Sequence, residues 1–132
     1  MKKNKILVVD DDPVIRDSLL AALQTAGFDA FAEVDGVAGL AKAKDIEPDL
    51  IVTDVEMPLM DGMTLLKEIR RSSDWGKKVP VIVLTNFDTT EHTFQGVVED
   101  APSFYLLKTN ITPDSVVEKV QESLNTSATP SA

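Results

Sequence analysis

Eight residues near the start of the chain decide its fold: Ile6-Leu7-Val8-Val9-Asp10-Asp11-Asp12-Pro13. The first four form an apolar run rich in β-branched residues, which is typical of a strand buried on both faces of a parallel sheet. The run ends in three aspartates, and Asp12 before Pro13 is a helix N-cap followed by proline at the first helical position. These residues therefore predict a strand with an acidic carboxyl end, followed directly by a helix.

The same alternation of strand and helix continues along the chain. Apolar runs predict strands at residues 6–9, 29–33, 50–53, 81–84 and 104–107. Helical spacing and stop signals predict helices from Pro13 to Gly27 and at residues 36–44, 65–69, 90–99 and 113–124. The polar segment at residues 70–78 is interpreted as a loop in which Trp75 covers apolar surface. Five strands alternating with five helices predict an α/β fold, a parallel sheet with helices on both faces.

Length and composition limit the classes of protein to consider. The chain has 132 residues, enough for one domain, and 43% of them are hydrophobic. A net charge of -9, without a block of basic residues, disfavours direct binding to nucleic acid. The absence of cysteine excludes disulfides and thiolate chemistry. The only apolar stretch near the start is far too short for a membrane segment, so we expect a cytoplasmic protein without membrane insertion.

Polar side chains follow four of the predicted strands. Asp10 and Asp11 follow the first strand, Asp54 the third, Thr85 the fourth and Lys108 the fifth. Ligands of an open parallel sheet bind outside the carboxyl ends of its strands, so we expect these side chains to converge there. Three carboxylates held together repel one another unless a cation is present.

A divalent metal ion resolves this repulsion. Oxygen ligands favour Mg²⁺, which binds through one or two carboxylates and substrate phosphate oxygens. We expect Asp11 to hold the ion, with Asp10 in support or through water, and with the backbone carbonyl of Glu56 as a further ligand. Asp54, alone at the end of the central strand, is the candidate nucleophile for an aspartyl phosphate. Lys108 and Thr85 would hold the phosphoryl oxygens.

With these residues in place, the chain resembles a receiver domain of the two-component response regulators, in particular the stand-alone, chemotaxis-regulator-like kind. The resemblance extends from Lys5 to Leu124. Its motifs are the opening stretch, Asp54 through Met57-Pro58 to Asp61-Gly62, Thr85, and Tyr105-Leu106-Leu107-Lys108. It implies a flavodoxin-like, five-stranded parallel sheet of order 2-1-3-4-5, a receiver domain at residues 1–125 and a flexible tail at residues 126–132.

The resemblance also implies a function. A sensor histidine kinase or a phosphotransfer protein would donate a phosphoryl group to Asp54 with Mg²⁺, in a module that is not a turnover enzyme. Thr85 and Tyr105 would then couple phosphorylation to the surface of the helix at residues 90–99, the last strand and the last helix. Only eight residues follow Leu124, so we expect the domain itself, as a monomer or a phosphorylation-dependent dimer, to bind an unidentified protein target.

Two alternatives stay open. The family usually has proline after the motif lysine and a small residue after the motif threonine, whereas this chain has Thr109 and Asn86. A degenerate receiver, slowed by these residues, would act only as a protein-interaction module. Alternatively, residues 10–14 match the D-x-D-x-V motif of haloacid-dehalogenase-like phosphatases, with Asp10 as nucleophile and Asp12 as acid.

Overall fold

A computed structural model describes residues 3–85 and 104–128 of the chain. Several sequence predictions therefore lie outside the described residues. They are the helix at residues 90–99, the side chain of Asn86 and the tail from residue 129 onward.

The described residues form one sheet of five parallel strands in the order β2-β1-β3-β4-β5, as the resemblance implied. The strands are β1 (Lys5–Val9), β2 (Asp29–Glu33), β3 (Leu50–Asp54), β4 (Val81–Thr85) and β5 (Phe104–Leu107). Each apolar run of the sequence forms its expected strand, and β3 and β4 are buried along their whole length. Strands covered on both faces lack the alternation of apolar and polar residues, which is why the short runs identified them.

Helices cover both faces of the sheet. They are α1 (Pro13–Thr25), α2 (Gly36–Ile46), α3 (Gly62–Arg70), α4 (Asp74–Lys78) and α5 (Pro113–Ala128). On one face, α1 and α5 pack on an apolar cluster that includes Val8, Val52 and Ile82 from the strands. On the other, α2 and α3 pack on a second cluster that includes Leu7 and Ile51. The predicted α/β fold is confirmed.

Aspartate caps fix where three of the helices begin. The carboxylate of Asp12 accepts a hydrogen bond from the amide of Val14 at 2.9 Å, which confirms the predicted N-cap of α1. Asp35 and Asp61 cap α2 and α3 in the same way. Each cap satisfies one of the amides that the first turn of a helix leaves without a partner. All three helices therefore start at the carboxyl edge of the sheet.

Two sequence predictions about helices were wrong. Residues 74–78, expected to be loop, form α4, because the hydroxyl of Ser73 caps the amide of Gly76 and the Trp75 indole donates to the carbonyl of Pro48 at 2.9 Å. Trp75 does pack against the apolar cluster under α2 and α3, as expected. The last helix continues to Ala128 instead of ending at Leu124, since no glycine or proline stops it there.

Membrane insertion finds no support among the described helices. None within residues 3–85 and 104–128 combines the length and apolar character that a membrane span requires.

Candidate functional site

Three charged residues lie at the carboxyl ends of the strands, on the same face of the sheet as one of its apolar clusters. Side chains of a strand alternate between the two faces, so residues two positions apart share a face. Asp10, Asp54 and Lys108 each come two positions after a residue that packs under α1 and α5, namely Val8, Val52 and Leu106. The same periodicity that builds this apolar cluster therefore directs the three charged side chains to one place.

The distances confirm that the charged groups meet. The Lys108 ammonium Nζ lies 3.0 Å from Oδ2 of Asp54 and 3.3 Å from Oδ2 of Asp10. Carboxylate oxygens of Asp10, Asp11 and Asp54 all lie within 4.8 Å of one another. We call Asp10, Asp11, Asp54 and Lys108 the acid cup. Asp11 is exposed at its mouth, whereas Asp10 and Asp54 are buried.

Asp10 is held so that one carboxylate oxygen faces the cup. Its Oδ1 accepts a hydrogen bond from the amide of Asp12 at 2.9 Å, and its own amide donates to the carbonyl of Glu33 at 3.2 Å. Its Oδ2 is buried and, among the described residues, receives no hydrogen bond of good geometry despite the nearby Lys108. A buried carboxylate oxygen with such incomplete pairing is costly unless a further cation or donor reaches it.

Asp54 is fixed by the loop that follows it. Its Oδ1 accepts from the amide of Val55 at 2.8 Å, and the carbonyl of Val55 accepts from the amide of Gly62 at 2.8 Å. Any Cβ atom at Gly62 would collide with the carbonyl oxygen of Asp54. Glycine at this position therefore lets the start of α3 close onto the end of β3, which fixes the position of Asp54.

The cup shifts the pKa values of its members. Burial raises the pKa of Asp10 and of Asp54 above the usual range, and this outweighs the lowering effect of Lys108 and of backbone amides. Burial alone would lower the pKa of Lys108, but its contacts with Asp54 and Asp10 outweigh burial and raise it. Lys108 is therefore a cation at neutral pH. One lysine does not fully compensate the carboxylates gathered around it.

The donor set fits a hard divalent cation. All three groups offer carboxylate oxygens, one of them the incompletely paired Oδ2 of Asp10, and they lie close enough for one ion to contact all three. Oxygen donors of this kind suit Mg²⁺ better than metals that prefer nitrogen or sulfur. The exposed position of Asp11 leaves the site open to water and to a further ligand.

The remaining predicted site residues lie on β4, on β5 and in the loop after β3. Thr85 is buried at the end of β4, one position beyond Leu84, which is the register partner of Asp54. Tyr105 pairs with Val83, so Thr85 and Tyr105 share the face covered by α2 and α3. Tyr105 is half-buried, and burial raises its pKa. The side chain of Glu56 is exposed in the loop after Asp54, and its carbonyl as a metal ligand stays a prediction.

Sequence reasoning missed one charged residue beside the cup. Arg16, in the first turn of α1, donates from Nη1 to the carbonyl oxygen of Asp10 at 3.0 Å. Its side chain is only 18% exposed. The available signal was a single arginine among the apolar positions that start α1, six residues after Asp10.

Curated relatives match most of this chain but only part of their own length. The chain is 36% identical over 100 residues to the DNA-binding dual master transcriptional regulator RpaA of Synechocystis sp. (strain ATCC 27184 / PCC 6803 / Kazusa), a match that covers 76% of this chain and 41% of RpaA. A match to the response regulator MprA of Mycobacterium sp. (strain KMS) is 34% identical, with 76% and 42% covered. The chain thus spans about two fifths of the length of these relatives.

Two solved structures and a family model agree with these matches. The chemotaxis response regulator CheY4 of Vibrio cholerae has a TM-score of 0.82 and 31% identity, covering 92% of this chain and 98% of CheY4. The receiver domain of the sensor histidine kinase PA1611 of Pseudomonas aeruginosa PAO1, solved with a magnesium ion coordinated in its active site cleft, has a TM-score of 0.77 and 26% identity, covering 95% and 100%. The sequence model of the response regulator receiver domain matches residues 6–121. The chain belongs to the family of response regulator receiver domains.

Proposed function

We propose that this chain is a phosphoacceptor module of a two-component phosphorelay, in which Asp54 receives a phosphoryl group. The observation that carries the proposal is the position of the Lys108 ammonium, 3.0 Å from Asp54 and 3.3 Å from Asp10, within a group of three carboxylates. Structural ion pairs rarely gather an excess of buried carboxylates, because the desolvation cost then exceeds the attraction. A phosphoryl-transfer site needs this arrangement, with a nucleophile and cations on either side of it.

The chemistry would be a transfer from phosphohistidine. A carboxylate oxygen of Asp54 attacks the phosphorus, an O–P bond forms, and the N–P bond to the imidazole breaks. The imidazole nitrogen keeps the electron pair of the broken bond and takes up a proton. The donor class is a sensor histidine kinase or a phosphotransfer protein. Lys108 neutralises charge on the phosphoryl oxygens, which is where negative charge must be stabilised during the transfer.

Mg²⁺ fits the remaining part of the cup. Asp11 and Asp10 would hold the ion together with Asp54, and the carbonyl of Glu56 would complete the protein ligands. When bound, Mg²⁺ neutralises the carboxylates and the oxygens of the incoming phosphoryl group. The incompletely paired Oδ2 of Asp10 supports this assignment, as does the magnesium ion in the structurally similar receiver domain of PA1611.

Thr85 and Tyr105 would transmit the change. The Thr85 hydroxyl lies one position beyond the register partner of Asp54 and would be drawn toward a phosphoryl group on Asp54. Tyr105 stands two register positions back on the neighbouring strand and on the same face, where space left by Thr85 would become available. Such a pair biases a two-state equilibrium when the phosphoryl group contacts only one of the states.

The output would be a change in protein binding. The module would act in the cytoplasm, as a monomer or a phosphorylation-dependent dimer, on a protein target and without turnover of a free substrate. It would make no direct contact with nucleic acid, given the net charge of -9. The DNA-binding function in the name of RpaA belongs to a protein more than twice the matched length.

Intact-mass spectrometry tests the proposal. The wild-type chain, incubated with acetyl phosphate and MgCl₂, is expected to gain the mass of one phosphoryl group, and omission of MgCl₂ or substitution Asp54→Ala should abolish the gain. Asp45→Ala, at an exposed aspartate of α2, is the matched control and should phosphorylate like the wild type. An adduct that persists in Asp54→Ala would contradict the proposal. No adduct on the wild type would favour the degenerate receiver.

A further inference from the structure

Among residues 3–85 and 104–128, Arg16 is a large side chain beside the acid cup for which the proposed chemistry has no use. Its side chain is 18% exposed, and its Nη1 donates to the backbone carbonyl of Asp10 at 3.0 Å. Its Nε lies 3.9 Å from the exposed carboxylate of Asp17. Withdrawing most of an arginine side chain from water is costly, so a largely covered arginine that binds a backbone carbonyl indicates that the position of this carbonyl matters.

The carbonyl in question belongs to the residue with the incompletely paired oxygen. Asp10 is held at its amide by Glu33, at Oδ1 by the amide of Asp12, and at its carbonyl by Arg16. These three hydrogen bonds fix the backbone and one carboxylate oxygen. Only Oδ2 is left directed into the cup, next to Lys108.

We propose that Arg16 is a positioning residue for the magnesium site, which holds the backbone of Asp10 so that Oδ2 of Asp10 points at the ion. This inference rests on the proposed function, because it assumes that the cup binds Mg²⁺. Arg16 would not hold the ion or the phosphoryl group itself, since its partners are the Asp10 carbonyl and the Asp17 carboxylate. It acts through Asp10, as outer hydrogen-bond partners of metal ligands do when they set ligand direction and so affinity.

The chain contains a matched control for a merely structural role. Arg70, at the end of α3, is also partly buried and also donates from Nη1 to backbone carbonyls, those of Gly76 at 2.9 Å and Val79 at 2.6 Å. These carbonyls lie within α4 and directly after it, beyond the end of α3 that is opposite the cup. Replacing either arginine removes a buried donor from backbone oxygens, but only Arg16 is linked to a metal ligand.

The test is an NMR titration with MgCl₂ alone, without a phosphodonor, on the wild type, Arg16→Gln, Arg16→Lys and Arg70→Gln. We expect Arg16→Gln to weaken the Mg²⁺ affinity by roughly tenfold. Arg16→Lys, which can still donate to the Asp10 carbonyl, should recover part of the loss. Arg70→Gln should lower the melting temperature and leave the affinity for Mg²⁺ unchanged. If Arg16→Gln does not fold, Arg16→Met, which keeps the buried stem, takes its place.

Amide hydrogen exchange without metal supplies a second readout. The amide of Asp12, bound to Oδ1 of Asp10, should exchange faster in Arg16→Gln than in Arg70→Gln, measured relative to amides in the middle of α1. Wild-type Mg²⁺ affinity in Arg16→Gln would overturn the inference and leave the proposed function intact. An equal loss of affinity in Arg70→Gln would also overturn it. A wild-type chain that binds no Mg²⁺ would overturn both.

Discussion

The interior of the sheet and its carboxyl edge use the same strands in opposite ways. Along β1, Leu7 and Val8 are completely buried among apolar side chains, and two positions past Val8 comes Asp10, equally buried but charged. β3 changes in the same way from Val52 to Asp54. Each buried apolar residue of the interior stabilises the fold, whereas burying carboxylates at the edge destabilises it, because they lose their hydration. The difference indicates that the interior stabilises the fold, whereas the carboxylates at the edge do not and fit the proposed chemistry instead.

The largest effect should come from truncating the interior. Leu7→Ala removes a completely buried side chain from the cluster under α2 and α3 and should lower the free energy of unfolding by about 2 to 5 kcal/mol. Leu59→Ala, at a leucine that is 80% exposed, is the control and should stay within about 0.5 kcal/mol. Urea denaturation measures both. Similar costs at the two positions would break the distinction between interior and surface.

The contact between the end of β3 and the start of α3, where the interior meets the edge, should be nearly as sensitive to substitution. Gly62→Ala places a methyl group against the carbonyl of Asp54 and should cost about 1 to 3 kcal/mol in the free energy of unfolding. It should also reduce phosphorylation, because β3 and α3 can no longer close around Asp54. Gly27→Ala meets no atom within 4 Å but has φ of 97°, so it should cost stability through backbone strain alone. A Gly62→Ala variant with wild-type phosphorylation would contradict the claim that this close contact positions Asp54.

Neutralising a carboxylate in the cup should stabilise the fold, unlike the substitutions above. Asp54→Asn, without Mg²⁺ at pH 7, is expected to raise the free energy of unfolding by about 1 kcal/mol, since Lys108 keeps Asp10 as a partner. Burial raises the pKa of Asp54 in the folded chain above its value in the unfolded chain. Protonation of Asp54 therefore stabilises the fold, and this stabilisation is complete below the unfolded pKa and is lost as the pH rises through the folded pKa.

The pH dependence sharpens this prediction. The advantage of Asp54→Asn over the wild type should shrink as the pH falls from 7 toward about 4, because the wild-type carboxyl then becomes neutral as well. Thermal unfolding of both chains across this range, without metal, measures the difference. If Asp54→Asn is less stable than the wild type at pH 7, the Asp54 carboxylate stabilises the fold, as the interior residues do, and the prediction is wrong.

The smallest effect should come from a polar group on the interior side. Ser123 on α5 is 4% exposed, and within the described part of the chain its hydroxyl has no hydrogen-bond partner. Ser123→Ala should therefore stabilise the fold by up to about 1 kcal/mol, as measured by urea denaturation, with no change in phosphorylation. A loss of stability would mean that the hydroxyl has a partner in the folded chain.

The strands and helices of the interior could be predicted from the sequence because the residue patterns that specify them are local. Short apolar runs, the N-cap at Asp12 and the stop at Gly27 each depend on neighbours a few positions away, and the structure has all of them. The helix at residues 74–78 was missed because what holds it is not local. Its indole reaches the carbonyl of Pro48, 27 positions earlier in the chain.

The edge was readable only in part. Strand periodicity and topology together brought Asp10, Asp54 and Lys108 to one place, and the structure pairs them as expected. Arg16 was not foreseen, because a single arginine among the apolar positions that start α1 does not by itself reveal a hydrogen bond to a backbone carbonyl. The roles of Thr85, Tyr105 and the Glu56 carbonyl stay predictions, since they depend on a phosphoryl group and a metal ion.

Locating the phosphoryl group tests the central claim most directly. Borohydride reduces an aspartyl phosphate to homoserine, so peptide mass spectrometry after treatment with acetyl phosphate, MgCl₂ and borohydride identifies the residue that was modified. We predict homoserine at position 54 alone, and only when the donor and Mg²⁺ are both present. Homoserine at position 10 would contradict it in favour of the phosphatase alternative, and no homoserine would contradict it in favour of a module that only binds proteins.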